Sequence, residues 1–318
     1  MITIVTTTYN REKLLQRTIN SVLNQTYSDF EYLIINNGST DNTQKIIDNF
    51  CKNDKRIRAV SYKQNRRDYE YLLEKYNLIK ENINKKYFMQ IDDDDFMELN
   101  TVNTLYNLIT EYNADIASVG SMYVYPDESK KDKYNFQGVF SYNRIDAMKE
   151  LLKREKFNAG IGGKLFKKEI YCCYDLPKLN ILRDIHTAYR RYNYINSMVV
   201  SGEPLYYFYR HDKNMSGLDS AEQITPEKIN QHLEANTMRT QWLSEHMPEI
   251  KDYVFYCELS FMISLYERIY RLEVKDCFEI ANEMKDNLIR NITFLDEHNF
   301  CSEREKEILN GIKNDTRA

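Results

Sequence analysis

The sequence contains 318 residues, of which 44 are Lys or Arg and 48 are Asp or Glu, so its formal net charge is −4. Hydrophobic residues make up 42% and charged residues 29%, which is typical of a globular protein with a substantial core. The sequence has no basic block, which argues against binding to the phosphate backbone of a nucleic acid. Its six cysteines include no C-x-x-C pair, which argues against a zinc knuckle and favours a reduced, cytoplasmic protein.

The most apolar parts of the sequence predict neither export nor membrane insertion. The opening stretch, "MITIVTTTYN", lacks the basic region and long apolar run of a signal peptide. The apolar segment at 253–272 is interrupted by Glu258, Glu267 and Arg268, which favours a helix buried in a bundle over a membrane span. We therefore expect no transmembrane segment, and a protein that works in the cytoplasm, either free or at the inner face of the membrane.

The first hundred residues alternate between short β-rich runs and segments with helical apolar spacing. Strands are predicted at 2–8, 30–35, 57–62 and 87–91. Helices are predicted at 11–25, from 39 or 40 onward, and at 69–83. This alternation predicts an α/β fold with a mainly parallel, Rossmann-like sheet flanked by helices, in which ligands bind beyond the carboxyl ends of the strands.

Four consecutive aspartates, 92–95, directly follow the last of these predicted strands in "YFMQIDDDDFM". Adjacent carboxylates repel one another unless they are solvated or share a cation. A solvated acidic loop is one interpretation. However, the strand fixes the position of the run, and oxygen ligands at a strand end suit Mg²⁺ or Mn²⁺. "TTTYN" and "NNGSTDN" also follow predicted strands, so all three segments are expected to meet in one crevice.

These segments, in this order, resemble the nucleotide-sugar-binding half of a family 2 glycosyltransferase with the GT-A fold. The resemblance covers about 1–215 and is strongest in 1–50 and 86–100. It implies a GT-A catalytic domain at 1–220, with the nucleotide-sugar half at about 1–100 and the acceptor half at about 101–220. It also implies inverting transfer of a sugar from a nucleotide diphosphate donor, with UDP as the favoured nucleotide.

The resemblance assigns donor-binding roles to two of the strand-end loops. Thr8, Tyr9 and Asn10 match positions that line the base and ribose, although loop packing is an alternative for Tyr9. In the acidic run, Asp92 is implied to contact the ribose or the metal, and Asp93 belongs to the same donor site.

The resemblance also implies a divalent metal, Mn²⁺ or Mg²⁺. Asp94 matches the residue that binds the metal bridging the two phosphates, and Asp95 is an assisting acid. His211, in "FYRHDKNMSG", completes the metal shell or touches the diphosphate, with an uninvolved loop histidine as the alternative.

Two departures from the family pattern concern the donor. The family commonly has two aspartates where this sequence has Asn36 and Asn37. The carbonyl oxygen of Asn37 can still accept from uracil N3–H, but without a charge, so cytosine or thymine stays open. The family's diphosphate-binding arginine is also absent from its usual place; Arg66 or Arg67 could substitute, and a solvated surface pair is the alternative.

Inverting transfer needs a base that takes the proton of the acceptor hydroxyl. Asp184, in "NILRDIHTAYRRYNY", matches the family's base position, with Arg183 in place of a second acid. An acid that merely interacts with the N-terminus of its helix is the alternative. The segment "IGGKLFKKEI", at 161–170, resembles the family's acceptor entrance.

Beyond about 220 the resemblance ends, and 221–318 is predicted to form two or three long helices. Thr225-Pro226-Glu227 and Ser302-x-x-Glu305 are typical helix starts. These helices are expected to pack on the catalytic domain, contribute to the acceptor site or form a homodimer, and peripheral membrane contact stays open.

The predicted function is transfer of a sugar to a hydroxyl of a glycan, a lipid-linked glycan or another surface-polysaccharide precursor. A sugar nucleotidyltransferase is one alternative, although "TTTYNRE" lacks the glycine-rich loop that would hold a triphosphate. A catalytically impaired GT-A protein that only binds nucleotide-sugar is another, because of Asn36 and Asn37.

Overall fold

A computed structural model describes residues 1–173, 176, 183–211, 218 and 220–315. The chain divides into two compact units, Met1–Asp212 and Lys213–Ala318.

The described part of the first unit contains one sheet of ten strands. The strands are β1 (Ile2–Thr8), β2 (Phe30–Asn36), β3 (Ile57–Ser61), β4 (Tyr87–Gln90), β5 (Phe96–Met97), β6 (Ile116–Val124), β7 (Lys130–Asp132), β8 (Val139–Asn143), β9 (Lys164–Lys167) and β10 (Ser197–Tyr209). Their order across the sheet is β3-β2-β1-β4-β9-β6-β10-β5, with β7 paired to β6 and β8 to β10.

The sheet is mostly parallel, and the helices of this unit flank it. Strands β3, β2, β1 and β4 are parallel to one another, as are β6 and β10, whereas β9 runs antiparallel between β4 and β6. The helices are α1 (Leu15–Leu23), α2 (Thr43–Asn53), α3 (Tyr69–Asn82), α4 (Thr101–Glu111), α5 (Arg144–Lys153), α6 (Lys168–Cys172) and α7 (Arg183–Tyr192). The predicted α/β fold, with a mainly parallel sheet flanked by helices, is thus confirmed.

Apolar periodicity explains how these elements build the core. Leu15, Ile19 and Val22 recur at helical spacing on α1, and all three are fully buried against the sheet. The inner strands carry nearly continuous apolar runs because both of their faces are covered.

The helix α2 begins later than predicted, at Thr43 rather than at 39 or 40. The reason is local hydrogen bonding by side chains, which competes with the helical pattern. The N–H of Ser39 donates to Asn36 Oδ1, the N–H of Thr40 donates to Asn10 Oδ1, and the N–H of Thr43 donates to Asp41 Oδ1. These bonds turn 36–42 into an ordered loop at the sheet edge.

The described part of the second unit is helical and has its own apolar core. Its helices are α8 (Pro226–His246), α9 (Lys251–Arg271), α10 (Phe278–Arg290), α11 (Ile292–His298) and α12 (Glu303–Asp315). Both predicted helix starts are confirmed: Thr225 Oγ1 accepts from the N–H of Lys228, and Ser302 and Glu305 exchange capping-box hydrogen bonds. Among the described residues, no helix is long and apolar enough to cross a membrane.

Candidate functional site

The loops after β1 and β2 are joined to each other at the carboxyl edge of the sheet. Thr8, which is buried, ends β1 opposite Asn36 of β2. Asn10 then adopts a left-handed conformation (φ 52°), which asparagine tolerates better than most residues. Its N–H donates to Ser39 Oγ (3.0 Å) and its Oδ1 accepts from the N–H of Thr40 (2.8 Å). The first two predicted donor loops therefore form one wall.

The loop after β1 also contacts the aspartates that follow β4. The N–H of Tyr9 donates to Asp93 Oδ2 (3.3 Å). The guanidinium of Arg11 spans two carboxylates, with Nε 3.1 Å from Asp93 Oδ1 and Nη2 3.3 Å from Asp94 Oδ2. The three segments predicted to meet in one crevice are thus in contact.

Arg11 is a site residue that the sequence reasoning missed. One signal was available, since it is the basic residue directly after "TYN", in a loop expected to meet four carboxylates. Partial burial makes the ion pairs stronger than surface pairs, because Arg11 is 22% exposed and its partners 13% and 12%. Arg11 therefore supplies part of the positive charge that the aspartate run requires.

Asp95 is buried and held on both of its oxygens. Tyr206 Oη donates to Oδ2 (2.8 Å), and the N–H of Tyr209 donates to Oδ1 (3.0 Å). Tyr206 in turn packs against the glycines before β9, where a Cβ on Gly162 would lie 2.7 Å from the tyrosine Oη. These contacts leave Asp95 well placed to fix the turn of the acidic run, and burial raises its pKa well above the usual range.

Asp92 differs from Asp95 because part of its surface is exposed to solvent. Nearby protein atoms still restrict hydration of its carboxylate, which raises the pKa of Asp92 to about 7, and the charges of Asp184, Asp94 and Asp93 add to the shift. Burial also raises the pKa of Asp93, which the charge of Arg11 opposes. Carboxylates crowded together in this way favour binding of a cation.

His211 lies at the aspartates, with Nε2 3.0 Å from Asp94 Oδ2. Arg17, which the sequence reasoning also missed, supports this corner. Its Nη2 donates to the carbonyl oxygen of Asp94 (2.7 Å), and its guanidinium lies 4.4 Å from the ring centre of Phe96 and 4.2 Å from that of Tyr209. Arg17 therefore links the turn of the acidic run to Tyr209, at the end of β10.

The donor atoms in this corner fit Mn²⁺ or Mg²⁺. Carboxylate oxygen and imidazole nitrogen are common ligands of Mn²⁺. Asp94 Oδ2 and His211 Nε2 lie within hydrogen-bonding distance of each other (3.0 Å), so one carboxylate oxygen and one imidazole nitrogen would be available to an ion that replaced this contact. Within the described residues, no three Asp, Glu, His or Cys side chains form a ready metal cluster. An ion would thus take further oxygens from substrate phosphate or water, as Mg²⁺ commonly does.

The amide of Asn37 is tied to the loop after β3. Its Nδ2 donates to Asn65 Oδ1 and to the carbonyl oxygen of Arg66 (both 2.9 Å), and its Oδ1 accepts from the N–H of Arg66 (3.3 Å). The Arg66 guanidinium, however, pairs with Asp68 (3.0 Å) and Glu74 (2.9 Å). The structure thus brings the Arg66 backbone to Asn37 but directs its charge toward the start of α3.

Asp184 lies in the first turn of α7, where its side chain is exposed. It is close enough to Asp92 to raise the pKa of that carboxyl. The structure therefore brings the predicted base to the predicted donor site, although the side chain of Arg183 lies outside the described residues.

Comparisons with known proteins agree with this architecture. The model of glycosyl transferase family 2 matches residues 3–173. Glycosyltransferase GlyA of Streptococcus pneumoniae is 28% identical over 188 residues, which cover 56% of this chain but only 26% of GlyA. Glycosyltransferase GlyG of the same organism is 27% identical over 218 residues, covering 66% of this chain and 71% of GlyG.

Solved structures share the fold at low sequence identity. S. aureus TarS 1-349 in complex with UDP-GlcNAc is 15% identical, with a TM-score of 0.64 over 97% of this chain and 83% of that one. The mannosyltransferase PcManGT from Pyrobaculum calidifontis, in complex with GDP-Man and Mn²⁺, is 13% identical. Its TM-score is 0.54, and the match covers 98% of this chain and 78% of that one. Since the family model covers more than half of the sequence, the chain belongs to glycosyl transferase family 2.

Proposed function

We propose that this glycosyltransferase is metal-dependent and moves a sugar, with inversion, from a UDP-sugar to a hydroxyl of a glycan or another surface-polysaccharide precursor. The observation that carries the proposal is the meeting of the loops after β1, β2 and β4 around an acidic run that Asp184 also approaches. UDP-GlcNAc bound to TarS and GDP-Man with Mn²⁺ bound to PcManGT support a nucleotide-sugar as the donor class.

The donor would lie along the edge built by these loops. Thr8, Tyr9 and Asn10 would line the nucleoside, and Asn37 would meet the base through the free lone pair of its carbonyl oxygen. Asp92 would contact the ribose or the metal, because its side chain is open to water. Asp93, which is bound to Arg11, would shape the same pocket.

Asp94 and His211 would hold Mn²⁺ or Mg²⁺, with Asp95 fixing the turn that presents Asp94. The ion would neutralise the negative charge that develops on the diphosphate leaving group. Arg66 would reach the diphosphate only by exchanging its ion pairs with Asp68 and Glu74.

Asp184 would act as the general base. The acceptor oxygen attacks the anomeric carbon, its proton passes to the Asp184 carboxylate, and the bond between that carbon and the phosphate oxygen breaks. The electron pair of the broken bond leaves with the nucleoside diphosphate. Exposure of Asp184 at the mouth of the site supports this role, because an acceptor hydroxyl must be able to reach it.

Hydrolysis of UDP-GlcNAc with Mn²⁺ and water as the acceptor tests this role directly. Asp184→Asn keeps the shape of the side chain and removes the proton acceptor. UDP affinity should change little, whereas UDP release should fall by about 10²–10⁴-fold, the usual contribution of a positioned base. Asn is nearly as good as Asp at a helix start, so an acid that serves only the helix would give near-parental release.

Glu169→Gln is the matched control, because Glu169 is another exposed acid in the first turn of a helix of the acceptor half. It should leave UDP release unchanged. Near-parental release by Asp184→Asn together with a large loss in Glu169→Gln would move the base to Glu169.

A further inference from the structure

Three cationic side chains of the first unit are used by no step of the proposed mechanism, and two of them, Lys133 and Lys164, interact electrostatically with Asp184. This basic trio consists of Lys133, Lys164 and Arg210. Lys133 and Arg210 are half-buried, and Lys164 is 4% exposed.

Aromatic rings of β6 and β10 position two members of the trio. Lys133 Nζ lies 3.5 Å from the ring centre of Phe208, and the Arg210 guanidinium lies 4.3 Å from the ring centre of Tyr123. Tyr123 also lies 5.7 Å from Lys133 Nζ, so one ring borders both cations. A ring face attracts a cation without neutralising its charge, since the ring carries no net charge.

Lys164 opens β9, at the end of β4 from which the aspartates continue. It pairs with Ser118 of β6, and the next residue of β9, Leu165, pairs with Met89 of β4. Its ammonium group donates to the carbonyl oxygen of Gly160. Lys164 therefore lies beside the acidic run, on the side of the acceptor half.

Within the described residues, no member of the trio forms an ion pair with a carboxylate. Two other cations of this unit do: Lys167 lies 2.7 Å from Asp115, and Arg11 bridges Asp93 and Asp94. Lys164 and Lys167 lie on the same strand, but only Lys167 has a carboxylate partner among the described residues. Burying a cation without a counter-ion costs free energy, so a bound anion would stabilise Lys164.

The charges of the trio act on one another. Burial lowers the pKa of Lys133 to about 7, and the charges of Lys164 and Arg210 lower it further, against Asp95 and Asp184. Burial likewise lowers the pKa of Lys164 to about 7, against the charge of Asp184. A bound anion would stabilise the charged form of these two lysines.

We propose that the basic trio binds a phosphate group of the acceptor, next to the hydroxyl that receives the sugar. The acceptor is then a phosphorylated hydroxyl compound rather than a neutral glycan. This inference rests on the proposed function, because it uses Asp184, the proposed base, to locate the part of the site that binds the acceptor. Lys133 and Arg210 would contact the phosphate. Lys164, which is almost fully buried, would add positive charge to the site.

The test uses glycerol 1-phosphate as the probe and glycerol as its neutral counterpart. Each is titrated by calorimetry into the full chain, with UDP and Mg²⁺ present and again without them. We expect glycerol 1-phosphate to bind and glycerol to give no signal. In Lys133→Met, which keeps the apolar stem against Phe208, affinity should fall by about tenfold or more, because a charged hydrogen-bond donor is lost.

Two further variants guard against a general loss of structure. Lys133→Arg keeps the charge and should bind glycerol 1-phosphate within about threefold of the parent. Lys131→Met removes an exposed lysine of neighbouring β7 and should bind as the parent does. Failure of the parent to bind the probe, or equal binding by Lys133→Met, would overturn the proposal.

A second arm separates the acceptor from the donor as the source of the anion. Lys133→Met should leave the affinities for UDP, UDP-glucose and UDP-glucuronic acid unchanged. Selective loss of UDP-glucuronic acid binding would place the trio at an acidic donor sugar, and loss of UDP binding would place it at the diphosphate; either result overturns the acceptor assignment. Absence of UDP binding in the parent would instead contradict the proposed function, and the titration without UDP would still test the trio.

Discussion

At the scale of single residues, other side chains of the protein compensate part of the negative charge of the acidic run. Arg11 pairs with Asp93 and Asp94, while Asp95 accepts hydrogen bonds from Tyr206 and Tyr209. Asp92 keeps the most open carboxylate. The four adjacent aspartates therefore have different partners, and we infer different tasks for them.

Replacing Arg11 tests how much this compensation contributes to the stability of the fold. Arg11→Met removes the charge and leaves two mostly buried carboxylates short of partners. The free energy of unfolding in EDTA should fall by about 1–3 kcal/mol, the usual effect of losing hydrogen bonds to charged groups. Urea denaturation followed by circular dichroism measures it.

Arg58→Met is the control, because Arg58 forms a more exposed pair with Glu31 (3.8 Å). Exposed pairs contribute about 0–1 kcal/mol, so this variant should unfold close to the parent. Equal stability of both variants would mean that Arg11 does not compensate the aspartates.

At the scale of elements, the site depends on the contact between the segment that precedes β9 and the side chain of Tyr206 on β10. Gly162 lies directly before β9, and Tyr206 lies on β10 with its hydroxyl on Asp95. The absence of a Cβ at Gly162 lets the tyrosine ring reach the aspartate. A glycine outside the aspartate motif thus helps to set the position of that motif.

Gly162→Ala is expected to move Tyr206 away from Asp95. The new Cβ would lie 2.7 Å from Tyr206 Oη and Cζ, and a real contact that short forces the ring to shift. Overpacking and a lost buried hydrogen bond should lower the free energy of unfolding by about 1–3 kcal/mol and also weaken Mn²⁺-dependent UDP binding. Denaturation and calorimetry on one preparation measure both.

Gly311→Ala provides the matched substitution, because a Cβ there meets no atom within 4 Å and the residue lies inside α12. Alanine in a helix interior should raise stability by about 0.5–1 kcal/mol. Parental UDP binding by Gly162→Ala would show that the position of Tyr206 does not matter to the site.

At the scale of the whole molecule, the described candidate residues all belong to the first unit, from Thr8 to His211. They come from loops after β1, β2, β3 and β4, from α7 and from the end of β10. A ligand that touches these loops together should stabilise the unit against unfolding, because binding to the native state alone shifts the folding equilibrium.

UDP with Mn²⁺ is therefore expected to raise the unfolding midpoint. At a ligand concentration of about 100 Kd, binding adds about 2.7 kcal/mol, which corresponds to a shift of several degrees. EDTA should remove most of the shift, and UDP should exceed GDP, CDP and dTDP. Thermal scanning of the full chain measures all of these conditions.

Asp94→Asn is the companion variant. It should lose the Mn²⁺-dependent part of the shift in the unfolding midpoint. In EDTA, its free energy of unfolding should stay within about 1–2 kcal/mol of that of the parent. A shift with UDP that is the same in EDTA would contradict metal dependence, and a larger shift with CDP would point to a pyrimidine other than uracil at Asn37.

The succession of strands and helices in the first hundred residues was determined by the sequence itself. Strands, helices and the aspartate run follow from apolar periodicity and turn chemistry, which act over a few residues, so β1 to β4 and α3 lie within one or two residues of their predicted bounds. Parallel strands then bring their carboxyl ends together, which explains why the crevice could be predicted as well.

Only the tertiary structure decided which distant side chains complete the site. Tyr206 reaches Asp95 across 111 positions of the sequence, and no local pattern marks that tyrosine among the 26 present. The basic trio was equally hidden, because Lys133, Lys164 and Arg210 lie on different segments and each alone is an ordinary basic residue. The pairing of β9 and of β10 with the intervening strand β6 sets these contacts, and pairing between distant strands depends on the packing of the complete fold rather than on local propensity.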